Sequence, residues 1–531
     1  VLDDLGISSA LPLLSKFYML LKPIQILTNS RLLLFLLFSS INPICAFAST
    51  PSRVPDSPAI GSFAPVPDDP SLKRLAALRR RFVRGSTNLI DVNEAIRLAI
   101  ANNPSLKVAR SAIESQYYDL LAAQRQWIPT LLFSNSQPIL GRVNSNVTTK
   151  YKSLPGDDFT TTTGLYTFAP SVTANWTFLS IPRTGAIKSN FYGLKSEQFL
   201  YAVSLRNLIL STQQAFYQVQ SSKLLVDSFE QLYQINKKQL EILEARYPKR
   251  LVDLGSVSQA KTQYYQQLSE LINAYNQYFA ACAQLSNAIG FSDYRDLVPA
   301  AELKPVGTWN ESLESTIKHG LEFREEIKSS LALARSNQWN ASALYGTYYP
   351  SLSLTALGSL TINNGINARP SYATSNNQYD YKTTNLSSAI GLGFTWSLFD
   401  GGVNAANAKS SEALAKQQLA TAIQNQELVA SQIKTAFYQY QTSSEALRVT
   451  RLALDSAKQS QVVANVRFQV GLGDITTVVQ TLQFYGQAYI SYISALLDYN
   501  NSIAQLYRYS SVYPKSIEPV ADEAFRQATT H

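Results

Sequence analysis

Hydrophobic positions along this chain follow two rhythms, one of about two residues and one of about 3.6 residues. In the clearest stretch of the first kind, Ile390, Leu392, Phe394, Trp396 and Leu398 share one face, and Ala389, Gly391, Gly393, Thr395 and Ser397 share the other. Val172, Ala174, Trp176 and Phe178 interleave with Ser171, Thr173, Asn175 and Thr177 in the same way, and Leu352 and Leu354 with Ser351, Ser353 and Thr355. Leu131 and Phe133 open a fourth, less regular strand. The spacing predicts four strands in two pairs, each pair joined by a polar stretch read as a loop, 144–164 and 363–385.

The longer rhythm fills the rest. Segments 185–246 and 402–467 contain no proline, so each can run as one helix of roughly 90–100 Å. Behind them, Tyr264, Leu268, Leu271, Tyr275, Tyr278, Cys282 and Leu285 recur at three- and four-residue spacing. Leu482, Tyr485, Tyr489, Tyr492, Leu496, Tyr499, Ile503 and Leu506 do the same. This is coiled-coil spacing, and the tyrosines read as packing rather than as an aromatic binding box. Shorter amphipathic helices open at Val92, Ala95, Ile96 and Ala99 and at Leu313, Ile317 and Leu321; each leads to a second helix that stops before Pro129 or Pro350.

The order of elements occurs twice. A shift of 221 residues (350 − 129) lays Pro129 on Pro350, Ala215-Phe216-Tyr217 on Ala436-Phe437-Tyr438, Arg246 on Arg467, Asp253 on Asp474 and Leu285 on Leu506. A repeat this long is two copies of one architecture, not a short solenoid unit. The expected organisation is an export signal at 1–48, a proline-rich linker at 49–85, a first copy at 86–300, a second at 301–515 and a tail at 516–531.

Composition narrows the class. Charged residues make up only 16% of the 531-residue chain, against about 25% in soluble domains. The net charge is +9. The densest basic run, Arg79, Arg80, Arg81 and Arg84, sits in the proline-rich stretch without an aromatic platform or a groove-reading helix, so it reads as solvated linker and not as a nucleic-acid site. Such a stretch is expected to be extended or disordered. Lys22 and Arg31, the apolar run 32–38 and Ala46-Phe47-Ala48 read as a secretory signal with its cleavage site. Met19, the only methionine, is a candidate start that would leave 1–18 untranslated. Cys45 goes with the signal, leaving Cys282 as a small buried hydrophobe.

The alternating strands carry the functional argument. A soluble sheet would turn its large residues to a core, but the opposite face here is Gly, Ser, Thr and Asn. Apolar-out and polar-in is the pattern of a lipid-facing barrel, which puts Trp176, Phe178, Phe394 and Trp396 toward lipid. Four strands cannot close a membrane barrel, which needs about eight. Open edges are too costly in lipid, so several chains must share one barrel.

At this point the chain resembles the TolC-type outer membrane efflux proteins, over almost all of its length after residue 85. The resemblance is carried by Asn102-Asn103-Pro104 and the helix ending at Pro129-Thr130, by Trp396-Ser397-Leu398-Phe399-Asp400-Gly401-Gly402, and by Arg467-Phe468-Gln469-Val470-Gly471-Leu472 with Val478 and Leu506. It implies an α+β membrane protein. Three chains form a 12-stranded barrel, four strands each, continued by a long antiparallel helical tunnel through the periplasm. It further implies a passive exit duct in the outer membrane, for drug efflux or type I protein secretion, docked on a periplasmic adaptor and an ABC or proton-driven inner-membrane pump. The docking tips would be Arg246, Lys249, Arg250 and Leu251 in copy one and Arg467, Val470, Gly471 and Leu472 in copy two.

The resemblance places the aperture just after the tips, where family members carry acidic rings. Here those positions are Thr477 and Gln480, with Ser256 and Gln259 as their copy-one equivalents. Asp253 and Asp474 are candidates for a displaced ring, and equally for N-caps. The sequence offers no motif for catalysis, a cofactor or a metal: His319 and His531 stand apart, and Gly471-Leu472-Gly473 is too short for a dinucleotide loop. The competing reading, a non-conducting coiled-coil spacer of the envelope, leaves the outward Trp176 and Trp396 and the small inner face without a purpose.

Overall fold

A computed structural model describes residues 70–85, 89–135, 142–149, 159–291, 297–370 and 376–530. The export signal with Met19 and Cys45, the linker before residue 70, and His531 lie outside the described residues.

The elements follow in order: α1 (Pro70–Gly85), β1 (Leu89–Ile90), α2 (Val92–Asn102), α3 (Pro104–Arg125), β2 (Thr130–Asn135), β3 (Arg142–Thr149), β4 (Phe159–Phe168), β5 (Pro170–Leu179), α4 (Ile181–Arg246) and α5 (Leu254–Ile289). Then come β6 (Val298–Pro299), α6 (Leu313–Phe323), α7 (Glu325–Gly346), β7 (Ser351–Pro370), β8 (Asn376–Thr395), α8 (Val403–Gln469), α9 (Ile475–Tyr509) and α10 (Glu518–Thr529). The duplication survives into three dimensions. Adding 221 to the bounds of α2 and α3 gives those of α6 and α7. The long helices α4 and α8 have 66 and 67 residues, or about 100 Å each.

Strands β2, β3, β4, β5, β7 and β8 form one antiparallel sheet. β2 and β3 lie along one edge, paired with β5 and β4; β5 and β4 pair with β7, and β7 with β8 at the other edge. β7 and β8 stay in register from Ser351↔Thr395 to Pro370↔Asn376. This corrects the expected loops: 144–149, 159–164, 363–370 and 376–385 are strand. Alternation stops there because both faces become polar, not because the strands end.

The helices pack around α4, which contacts α3, α5, α7 and α9, while α8 lies beyond α7 and α9. α8 buries one narrow file, Ala408, Ser411, Ala415, Ala422, Val429, Ile433 and Ala436. Its heptad-like spacing seats small residues against the neighbouring helices. Most of the large buried residues gather in one belt on α4 and α5, where α1, α2, α3 and α10 pack against them. Cys282 is fully buried there, at 0% exposure.

One expectation for the start of the chain changes. Residues 70–85 are a helix, not an extended linker. Leu75 is buried, the Phe82 ring meets the edges of Tyr275 and Tyr278, Arg79 pairs with Glu230, and Arg81 covers Phe279. An apolar row at 75, 78 and 82 falls on one helical face, and its partners on α4 and α5 are distant in sequence. The tail also folds: α10 buries Ala521, Ala524 and Ala528. A short parallel pair, Leu89↔Val298 and Ile90↔Pro299, ties the start of copy one to the segment entering copy two.

Candidate functional site

The sheet divides the predicted wall residues into two faces. Cross-strand partners share a face. Leu131↔Ala174, Phe133↔Val172, Trp176↔Leu354, Leu354↔Leu392, Leu352↔Phe394 and Ala356↔Ile390 therefore make one apolar face. Thr130↔Asn175, Asn175↔Thr355, Thr355↔Gly391 and Ser353↔Gly393 make a small, polar one. Leu132 and Leu357 also fall on the polar face.

The apolar face is bare in the single chain: Leu131 is 74% exposed, Phe133 72%, Leu386 80%, Ile390 75% and Leu392 76%. It also has a limited height. On β7 it runs from Leu352 to Ile362, ten steps (362 − 352), and gives way at the Asn364↔Lys382 pair. Ten steps of about 3.3 Å, tilted by about 40°, give about 25 Å, the height of a barrel's apolar band.

At the foot of the band the two copies build the same anchor. Trp176 Nε1 donates to the carbonyl of Trp127, and Trp396 Nε1 donates to the carbonyl of Tyr348, each at 2.9 Å. Both rings stay half exposed beside Phe178 and Phe394. A ring with an apolar body and a tethered N–H suits a membrane–water boundary. Copy one then enters α4 through Pro182, with the Arg183 guanidinium over Trp127 and donating to the Thr177 carbonyl. Copy two enters α8 through Gly401 and Gly402, with Asp400 accepting from Tyr348 Oη and from two backbone N–H groups.

The far ends of the long helices form the tips. In copy one the Leu251 N–H closes back on the Arg246 carbonyl at 3.3 Å; in copy two Leu472 closes on Arg467 at 2.9 Å. Such closure needs a left-handed residue. Gly471 supplies it with φ 79°, and Arg250 takes the same conformation with φ 54°. Leu251, Val470 and Leu472 are exposed. Arg246 is turned inward over Phe468, centroid distance 5.5 Å, so the outward cations of the first tip are Lys249 and Arg250.

The candidate aperture residues lie one step beyond. Asp253 caps α5: one carboxylate oxygen accepts from the Ser256 N–H at 2.9 Å and the other from Ser256 Oγ at 2.8 Å. The Ser256 hydroxyl and backbone bonds hold this carboxyl below its usual range. Asp474 caps α9 through the Thr476 N–H. Both aspartates therefore act as N-caps within the chain. Thr477 and Gln480 are exposed, and Ser256 and Gln259 are partly exposed.

His319 does not stand in a ligand set: its Nδ1 meets the Ser510 carbonyl at 2.8 Å and its ring rests on Phe323. Among the described residues no group of His, Cys, Asp and Glu is placed to hold a metal, and no helix is long and apolar enough to cross a membrane. Sequence reasoning missed a buried ionic cluster. Arg324 and Arg508 both bind Glu326, and Arg206 binds Glu325 at 2.7 Å with its guanidinium over Tyr513. Its members come from α4, α7 and α9, so no local spacing announces it.

The fold is shared by outer membrane channels of known structure. The CmeC channel of Campylobacter jejuni superposes with a TM-score of 0.64 at 16% identity, covering 82% of this chain and 89% of that one. VceC of Vibrio cholerae gives 0.61 at 18%, covering 79% and 96%. The open-state MtrE channel of Neisseria gonorrhoeae gives 0.58 at 13%, covering 79% and 89%. Among curated protein sequences none matches. The family model for outer membrane efflux proteins matches residues 95–291 and 320–511, one segment in each copy and more than half of the chain together. The chain belongs to the outer membrane efflux protein family.

Proposed function

We propose that three copies of this chain build one duct, a closed barrel of twelve strands in the outer membrane continued by a helical cylinder across the periplasm, through which cargo leaves passively. One observation carries this reading: sheet and helical layer both stop at open edges. β2 and β3 are unpaired on one side of the sheet, and β8 on the other. In the helical layer α3 and α5 lie on one side of α4, and α8 ends the other side. The outer side of α8 leaves Ile423, Tyr438, Val449, Leu452, Val463 and Val466 more than half exposed. Lipid does not tolerate free strand edges, and an apolar helix face this long needs a partner. A second and third copy satisfy both, with β8 and α8 of one chain meeting β2 and the α3–α5 side of the next.

The small polar face then lines a wet lumen. The tips, with exposed Leu251, Val470 and Leu472 and the cations Lys249 and Arg250, dock a periplasmic adaptor that links the duct to an ABC or proton-driven pump. The cargo is small molecules in drug efflux or proteins in type I secretion.

Light scattering of the detergent-extracted protein, followed by planar-bilayer recording, tests the reading. The expected result is a trimer that conducts. A monomer that keeps its strand content would overturn it. Leu392→Arg, on the apolar face, should cost assembly about 2–4 kcal/mol if near the midplane, and Trp396→Arg, at the foot, about 0–1 kcal/mol. Thr395→Arg on the polar face should spare assembly and alter conductance.

A further inference from the structure

The helix α1 contains six Lys or Arg residues and no Asp or Glu in 16 positions, PSLKRLAALRRRFVRG. The chain's net charge is +9, so one short helix holds two-thirds of it. The helix is seated by its apolar row and by the Arg79–Glu230 pair. At about 100° per residue, Lys73, Arg74, Ala77, Arg80 and Arg81 fall within an arc of about 120° on the opposite side. All five are exposed. The result is a cationic stripe on the outside of the helical layer.

Position decides what this stripe can meet. Glu230, which fixes α1, lies 49 residues into α4 (230 − 181), about 75 Å from the foot of the sheet. Lipid headgroups of the outer membrane are out of reach. The tips are another 16 residues away (246 − 230), about 25 Å, so a partner seated on the tips does not need the stripe. A protein interface would also want large apolar or aromatic residues at the centre of the patch. Here the non-cations in the arc are Ala77 and, at the helix start, Pro70, neither of them a large apolar side chain.

We propose that the stripe of α1 is a binding surface for the carboxylate-rich glycan–peptide polymer of the cell wall, through which a periplasm-spanning duct must pass. The inference rests on the periplasmic placement of the helices proposed above. An extended, hydrated polyanion asks for exposed cations in a row and for no shaped pocket. Three copies per duct would present three such stripes.

The test is co-sedimentation of the full-length detergent-purified protein with purified insoluble sacculi. Wild type is compared with Lys73→Gln/Arg74→Gln/Arg80→Gln/Arg81→Gln, and with Arg74→Gln/Arg80→Gln, which leaves the Arg81–Phe279 contact intact. Wild type should pellet with sacculi at low salt and be released as salt shortens the Debye length below about 8 Å. The fourfold variant should lose roughly tenfold in bound fraction and the double variant part of that. Sacculi whose carboxylates have been amidated should not bind. Bilayer conductance on the same preparations separates the two readings: binding lost with conductance kept is the expected pair. Wild type that conducts but does not pellet overturns the proposal alone. Variants that pellet like wild type, or binding that survives amidation, overturn it as well. So does dissociation of the oligomer by the double variant, which would make the stripe a contact between copies.

Discussion

The two copies tie the same knot with different chemistry. In each, a short helix gives way to the next beside the end of the second tunnel helix. Copy one places Asn103 there. Its side-chain oxygen accepts from the Ser105 N–H at 2.9 Å and from Ser105 Oγ at 2.6 Å, and its amide donates to the Ala288 carbonyl at 2.7 Å. Copy two places Arg324 at the equivalent position (324 − 103 = 221). The guanidinium donates to the equivalent carbonyl, that of Tyr509, at 3.3 Å, and grips both oxygens of Glu326 at 2.9 and 3.0 Å. Arg508 joins Glu326 at 2.6 Å and also holds Asn207. Just past each helix end the chain turns left-handed, at Gly290 with φ 85° and at Ser511 with φ 60°. The fold preserves the task of tethering one helix start to another helix end. It does not preserve the charge used for it.

That difference has energetic consequences. The neutral knot of copy one has no ionisable member. In copy two, burial by itself would raise the Glu326 pKa, but Arg508 and Arg324 outweigh it and bring it down to about 2. A depressed carboxylate stabilises the fold above its unfolded pKa, near 4.5, and that contribution fades as pH falls toward 2. The gap corresponds to about 3 kcal/mol as an order of magnitude.

Removing the charge at the ionic knot should have the largest effect. Glu326→Gln leaves two buried arginines without their anion and should cost about 3–5 kcal/mol. Thermal melts followed by circular dichroism should show the loss at pH 7 and a smaller gap from wild type at pH 3. An unchanged gap would mean that the ionic knot does not titrate as described.

Gly290→Ala attacks the neutral knot through geometry. A Cβ there would lie 2.8 Å from the Asn103 Cα, at a positive φ. The expected cost is about 1–3 kcal/mol, with no pH dependence between 3 and 7. Equal pH dependence in the two variants would remove the distinction between the knots.

The tips give a finer version of the same contrast. Arg250 sits where copy two uses Gly471, so Arg250→Gly should relieve about 1 kcal/mol of left-handed strain. The thermal midpoint should rise, and capture of the adaptor proposed for the tips should weaken through the lost cation. Gly471→Arg should do the opposite.

The smallest effect is expected at the caps. Asparagine caps about as well as aspartate, so Asp253→Asn with Asp474→Asn should barely change the melt. Because the carboxylates serve the helix ends, reversal potentials under a salt gradient should stay the same. A clear fall in cation preference would restore these two residues to an acidic ring.

Much of this architecture is legible in the sequence because its periods are local. The alternation at Ile390 to Leu398 and the seam at Leu482 to Leu506 each state a face without reference to the rest of the chain. The outer halves of the strands were not legible. Beyond Asn364 and Lys382 the sequence loses its hydrophobic rhythm, and only the continuous β7–β8 register shows strand. The helix α1 hid behind its prolines and arginines. Its apolar row at Leu75, Leu78 and Phe82 is there to be read, but nothing nearby says that Tyr275, Tyr278 and Glu230 wait to receive it.

By itself, then, the sequence determined the two periods and the two faces of the strands, because these depend on residues within a few positions of one another, and the duplication, because the chain needs only to be laid on itself. Tertiary structure decided which charges meet. Arg206, Arg324, Glu326 and Arg508 are spread over some 300 residues (508 − 206) and come together only when α4, α7 and α9 pack. It also decided that Asp253 and Asp474 cap helices and that Lys73, Arg74 and Arg80 of α1 are exposed while Arg79 turns in to Glu230. A side chain's electrostatic role depends on the burial and on the partners that distant segments bring to it.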